Sequence, residues 1–103
     1  MNVSWPLSIA TDHPAYAGHF PNFPVLPGAV LLDEALRIIA EQRGIDVRRW
    51  RLASAKFLDV VRPGDALRVE FEATAPDAIR FNVLAADRKV VSGLLAGSKT
   101  APA

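Results

Sequence analysis

The sequence predicts an α+β fold in which one apolar helix packs against an antiparallel sheet, and three observations carry the prediction. Residues 29–43 repeat apolar side chains at helical spacing. Residues 67–85 alternate apolar and polar side chains in two runs joined by a short turn. Four prolines crowd between Pro14 and Pro27, where neither a long helix nor a central strand can run.

The first element is a strand. Val3, Trp5, Leu7 and Ile9 alternate with polar neighbours, the period of a half-buried strand, and Pro6 on the opposite face places that strand at a sheet edge. From Thr11 to Pro27 the chain is punctuated by proline and must be extended or turned. Tyr16, Phe20, Phe23, Val25 and Leu26 give this loop an apolar surface that can pack, unlike a solvated linker.

Pro27-Gly28 opens a stretch without proline that lasts to Pro63. The spacing predicts a helix over Ala29–Arg43, with Leu31, Leu32, Ala35, Leu36, Ile38 and Ile39 on one wide face and Asp33, Glu34, Arg37 and Glu41 on the other. Gly44 stops it as a C-terminal cap, and Arg43 sits near the negative end of the helix dipole. A meander of four strands is expected next: Leu52–Val61, with poor alternation, then Leu67–Thr74, Ile79–Ala85 and Val90–Gly97. Arg62-Pro63-Gly64-Asp65 joins the first two with the residues of a type II turn.

Composition narrows the function classes. The chain has 103 residues, room for one domain over 1–103, and its 12 basic and 11 acidic side chains leave a formal charge of +1. That balance argues against a general nucleic-acid binder, which needs a surplus of cations to neutralise phosphates. The absence of cysteine excludes a disulfide framework, a thiol nucleophile and cysteine-ligated metal centres. No apolar run approaches the roughly 20 residues of a bilayer span. The amino terminus lacks the basic-then-apolar pattern of a secretory signal, so the expected location is cytoplasmic. A domain this small buries only about two thirds of its unfolded surface, which makes self-association a natural supplement.

The residues able to carry chemistry are few. His13 reads as a polar surface residue, and His19, between Gly18 and Phe20-Pro21, is the candidate base. Asp33 lies near the start of the second helical turn, and the helix begins at a Pro-Gly step whose N–H groups have no intrahelical partner. An imidazole, a carboxyl group and free N–H donors are the parts needed to abstract a proton beside a carbonyl and hold the resulting oxyanion. Spacing alone favours a solvated face for Asp33, because Arg37 stands in ion-pair register with it. No G-x-S-x-G elbow, dinucleotide fingerprint or Walker loop is present.

The run from Gly18 to Ala35, GHFPNFPVLPGAVLLDEA, resembles the signature of the bacterial 3-hydroxyacyl-acyl-carrier-protein dehydratases, which have the hotdog fold, an antiparallel sheet wrapped around one central helix. A second block, Ala55-Lys56-Phe57 followed by Arg62-Pro63-Gly64-Asp65-Ala66-Leu67, is similar to that family's strand and turn after the helix. The resemblance implies a hydro-lyase that converts 3-hydroxyacyl thioesters of acyl carrier protein or coenzyme A to trans-2-enoyl thioesters, in fatty-acid, polyketide or aryl-polyene synthesis. It places the catalytic pair on His19 and Asp33 and the N–H that holds the thioester oxygen on Gly28. Phe20, Pro21, Phe23 and Pro27 would shape the site, with no metal or other cofactor. It also implies a homodimer or higher oligomer whose sites are shared between subunits, and an aspartate in place of the commoner glutamate is similar to the branch that handles 3-hydroxydecanoyl chains. Arg48, Arg49 and Arg51 offer either a solvated edge or a docking patch for an acidic carrier protein.

The sequence departs from the family's pattern at Asn22, where glycine is usual, and at Arg37, where glutamine is common; a guanidinium paired with Asp33 would weaken it as a proton donor. A hotdog thioesterase and a non-catalytic acyl-binding or carrier-binding subunit are the alternatives that share this helix terminus.

Overall fold

Helical spacing of the apolar residues becomes α1, Gly28–Arg43, in the computed structural model, which describes residues 3–9 and 27–97. Leu31, Ala35, Ile38 and Ile39 are buried, while Leu32 and Leu36, expected on the same face, form a half-buried flank. The helix ends at Gly44, whose left-handed backbone (φ 65°) directs its N–H to the Ala40 carbonyl, with Arg43 in the last turn.

Among the described residues five strands accompany the helix: β1 Val3–Leu7, β2 Trp50–Phe57, β3 Leu67–Ala75, β4 Ala78–Ala85 and β5 Arg88–Gly97, with a 3₁₀ turn at Val47–Arg49 leading into β2. They form one antiparallel sheet in the order β1-β3-β4-β5-β2. The expected meander of four is therefore a meander of three, β3-β4-β5. β2 leaves its sequence neighbour β3 and pairs with β5 at the far edge, Trp50 opposite Gly97 and Phe57 opposite Val91. The reason is geometric. β3 is held on one side by the short turn to β4 and on the other by β1, with Trp5 opposite Val69 and Leu7 opposite Leu67. The connection 58–66 is also longer than the roughly 2–5 residues of a hairpin loop. Within it the expected turn forms: the Asp65 N–H donates to the Arg62 carbonyl at 3.1 Å, and Gly64 takes the positive φ (88°) that a type II turn requires at its third position.

The inward residues of the sheet, among them Val69, Phe71, Ile79, Phe81, Val83, Val91 and Leu95, join the buried face of α1 and Val61 in one apolar cluster. A register shift in the β4–β5 pairing lets consecutive residues Val90 and Val91 both be buried. Alternation correctly marks Leu67, Val69 and Phe71, but Ala73 is exposed. At the other end of the sheet only Leu7 of β1 is buried, and Val3 and Trp5, expected to be half-buried, are exposed. Among the described residues no helix is long and apolar enough to cross a membrane.

Phe81, fully buried on a central strand, makes a direct probe of this core. Phe81→Ala is expected to lower the unfolding free energy by about 3–5 kcal/mol in urea titrations, whereas Val3→Ala at the exposed edge changes it by no more than about 0.5 kcal/mol.

Candidate functional site

The start of α1 is chemically unusual. Pro27 caps it with extended backbone (φ −58°, ψ 139°) and no side-chain hydrogen bond, and its carbonyl accepts from the N–H groups of Val30 and Leu31 at 3.1 and 3.3 Å. The N–H groups of Gly28 and Ala29 have no partner among the described residues, and no acidic side chain stands in the first turn. Two donors at the positive end of a four-turn helix are suited to an oxygen that gains negative charge.

These donors border a cavity of about 420 Å³. Gly28, Ala29, Leu31 and Leu32 form its helical side, and Phe57, Asp59, Val60 and Val61, at the end of β2 and just beyond it, form the other. A Cβ at Gly28 would sit 2.5 Å from Cε1 of Phe57, so only glycine lets this ring lie against the helix start. Although the ring packs on Gly28, 56% of Phe57 remains accessible, and Leu58 (53%) and Val60 (41%) beside it are also exposed. The end of β2 thus presents apolar surface both to the cavity and to the outside.

Among the described residues Asp59 is the carboxylate that lines this cavity. Its Oδ1 accepts the Val60 N–H at 2.8 Å, and its Oδ2 accepts Nη1 of Arg88 at 2.6 Å. The Val60 N–H, and after it the Arg88 guanidinium, hold its pKa below the ordinary 3.8. A carboxylate held ionised in this way is a poor proton donor near neutrality.

Asp33 is placed differently. It is exposed, does not line the cavity, and makes no hydrogen bond or ion pair with any described residue. At 100° per residue it lies almost opposite the buried stripe of Leu31, Ala35, Ile38 and Ile39. The expected threat to it, Arg37, turns elsewhere: Nη2 pairs with Glu34 Oε2 at 2.9 Å and Nη1 with Glu41 Oε1 at 2.7 Å. Three carboxylates lie within helical reach of Arg37, and it bonds the two that are not Asp33. Those two pairs raise the arginine's own pKa.

The basic cluster before β2 also divides. Arg48 is tied to Asp46 through Nε at 3.1 Å and Nη2 at 2.9 Å, which lowers the pKa of Asp46. Arg49 and Arg51 are exposed and unpaired among the described residues. With Trp50 they border a second cavity of about 330 Å³ against Ala96 and Gly97. His19, Phe20, Pro21 and Phe23, and His13 with them, lie outside the described residues.

The profile of the ApeI-like family, described as ApeI dehydratase, matches residues 1–94. The chain belongs to this family. Among curated proteins it is 36% identical over 83 residues to the 3-hydroxyacyl-[acyl-carrier-protein] dehydratase FabZ of Ligilactobacillus salivarius, covering 74% of this chain and 57% of that protein. It spans about half the length of the curated relatives it matches. Among solved structures, the dehydratase heterocomplex ApeI:P of Xenorhabdus doucetiae superposes with a TM-score of 0.71 at 19% identity, covering 92% of this chain and 85% of that one. The dehydratase domain of a mycocerosic acid synthase-like PKS gives 0.76 at 24% identity, covering 98% and 36%. These structural likenesses bear out the hotdog fold that the resemblance implied.

In this ApeI-like chain the structure brings Gly28 to the cavity, with Pro27 as the cap before it, and leaves Asp33 outside. Phe57, Asp59, Val60 and Val61 were not anticipated as lining residues. The similarity of the block around Phe57 to the family's second motif was the available signal, but nothing local tied it to the helix start.

Because the folded-state pKa of Asp59 is depressed, the stabilisation from its hydrogen bonds is complete above the unfolded value and is lost as pH falls through the folded one. We expect the Asp59 carboxyl resonance in NMR titrations to have its midpoint below 3.8. Arg88→Ala should move that midpoint upward but not fully back, because the Val60 N–H remains.

Proposed function

We propose that this chain dehydrates 3-hydroxyacyl thioesters to trans-2-enoyl thioesters. The observation that carries the reading is the pair of N–H groups at Gly28 and Ala29, unpartnered among the described residues, beside an apolar cavity in a chain of the ApeI-like dehydratase family. The thioester carbonyl accepts the Gly28 N–H, which acidifies the neighbouring C–H. His19 removes that proton, and the electron pair passes into the carbonyl as an enolate oxygen held by the N–H donors. The enolate then expels the β-hydroxyl, to which Asp33 supplies a proton, so that a carbon–carbon double bond forms and water leaves. The thioester itself makes the proton labile, so the reading assigns no cofactor.

Asp33 acts here on the site of a partner subunit. Its exposure, its lack of partners among the described residues and its position outside the described cavity support that arrangement. A second copy has a surface to meet. The outer edge of β2 is unpaired among the described residues and presents Leu52, Phe57 and Leu58, and α1 offers the half-buried flank of Leu32, Leu36 and Ala40. Within the cluster at 48–51, Arg49 and Arg51 make no ion pair with a described residue and can steer an acidic carrier protein; with Arg48 engaged by Asp46, the docking patch reduces to these two. Fatty-acid, polyketide or aryl-polyene intermediates are the substrate classes this chemistry serves. Family membership favours dehydration over the thioesterase that the same helix terminus would allow.

The test is an assay of purified protein with 3-hydroxyacyl and trans-2-enoyl thioesters. His19→Ala and Asp33→Asn should each lower kcat by about 10²–10⁴-fold, and full activity in either variant would defeat the reading. Mixing the two inactive variants and allowing subunits to exchange should restore about a quarter of wild-type activity, because half of the dimers then carry one intact shared site. No recovery on exchange would place both residues in one subunit.

A further inference from the structure

The connection 58–66 carries one wall of the cavity, yet it is a loop, and loops hold a shape only where something ties them down. Its backbone is anchored near its two ends, by the Leu58 N–H to the Val90 carbonyl at 2.9 Å and by the Ala86 N–H to the Ala66 carbonyl at 3.0 Å. Between these points the Arg62–Asp65 turn closes on itself, the Asp65 Oδ2 accepting the Arg62 N–H at 2.9 Å. Among the described residues, every side-chain hydrogen bond from this span to another part of the chain goes to one guanidinium, that of Arg88 on the first residue of β5. Nη1 donates to Asp59 Oδ2 at 2.6 Å and to the Val60 carbonyl at 3.5 Å, and Nη2 donates to Asp65 Oδ2 at 3.4 Å. The planar fork of arginine can hold two carboxylates and a carbonyl together, which a single ammonium cannot reproduce.

The anchor is itself fixed. Arg88 follows the turn Ala86-Asp87, where Ala86 holds a positive φ of 52° and its carbonyl accepts Nη1 of Arg68 at 2.5 Å. The guanidinium therefore connects a braced hairpin to a loop that needs bracing. Arg88 and Asp59 are 42% and 43% exposed, so their pairing contributes little to overall stability. What it does fix is the position of Asp59 and Val60 opposite Gly28 and Leu32.

We infer that Arg88 is a positioning residue for the acyl-thioester cavity: through Asp59 and Asp65 it sets the wall formed by Asp59 and Val60, and thereby the affinity for the substrate and the acyl chain that fits. The inference rests on the dehydratase reading for the identity of the ligand. Arg88 touches none of the reacting atoms, so its removal acts on binding more than on the chemical step.

The experiment compares wild type, Arg88→Ala, Arg88→Lys and Asp59→Asn, with steady-state kinetics on short and long 3-hydroxyacyl coenzyme A thioesters and calorimetric binding of the corresponding enoyl thioesters. Arg88→Ala should raise KM and Kd about tenfold, a loss of about 1.4 kcal/mol, with kcat within about twofold of wild type and an altered preference between short and long chains. Asp59→Asn should follow it in direction, and Arg88→Lys should recover part of the affinity. Thermal melting reports folding, and Tm should change little in all three variants. Unchanged KM, Kd and chain preference in Arg88→Ala would overturn the inference, as would a loss confined to kcat. Absence of wild-type turnover would instead defeat the dehydratase reading, and the binding arm would still decide the role of Arg88.

Discussion

Everything in this molecule is arranged around the burial of one stripe of α1. Leu31, Ala35, Ile38 and Ile39 meet Phe71, Phe81, Val83 and their neighbours on one face of the sheet, and removal of that apolar surface from water is the main force holding helix to sheet. The same contact decides where the helix begins. With Leu31 and Ala35 fixed in the core, Gly28 has to lie beside the end of β2, and its N–H, unpartnered among the described residues, is brought to the cavity. Asp33 is governed by the same rotation: a helix that buries Leu31 and Ala35 must turn residue 33 away from its own sheet.

The charged groups show a division of labour. Arg37 engages Glu34 and Glu41, Arg48 engages Asp46, and Arg88 engages Asp59 and Asp65. These pairs are exposed and individually weak. Their effect is one of geometry: they hold neighbouring carboxylates in place, and Asp33 is not among the acids they engage. The sequence permits the opposite pairing equally well, because residues three and four apart on a helix are all neighbours.

The parts of the structure that could be read from the chain are those governed by local periodicity. The extent of α1 and its glycine cap, the alternation of Leu67 to Phe71 and Ile79 to Val83, and the Arg62–Asp65 turn each follow from rules that act over a few residues. What could not be read depends on distant partners. β2 alternates poorly and buries none of its residues in this chain, and nothing within residues 50–57 indicates that they pair with β5 rather than β3. Arg88 and Asp59 are 29 positions apart, and neither carries a motif that announces the other. The Gly28 contact with Phe57 spans the whole helix, so the second wall of the cavity emerges only once the sheet is assembled.

The edge of β2, unpaired among the described residues, has a consequence for the isolated chain. Its outward N–H and C=O groups are a ready template for another strand, and within the strand only Arg51 and Lys56 carry the charge that discourages wrong pairing. A second copy that covered this edge would bind the folded form alone, and mass action would then couple folding to the amount of protein present. Dilution would act as a mild denaturant, and an excess of unpaired chains would drift toward edge-to-edge aggregates.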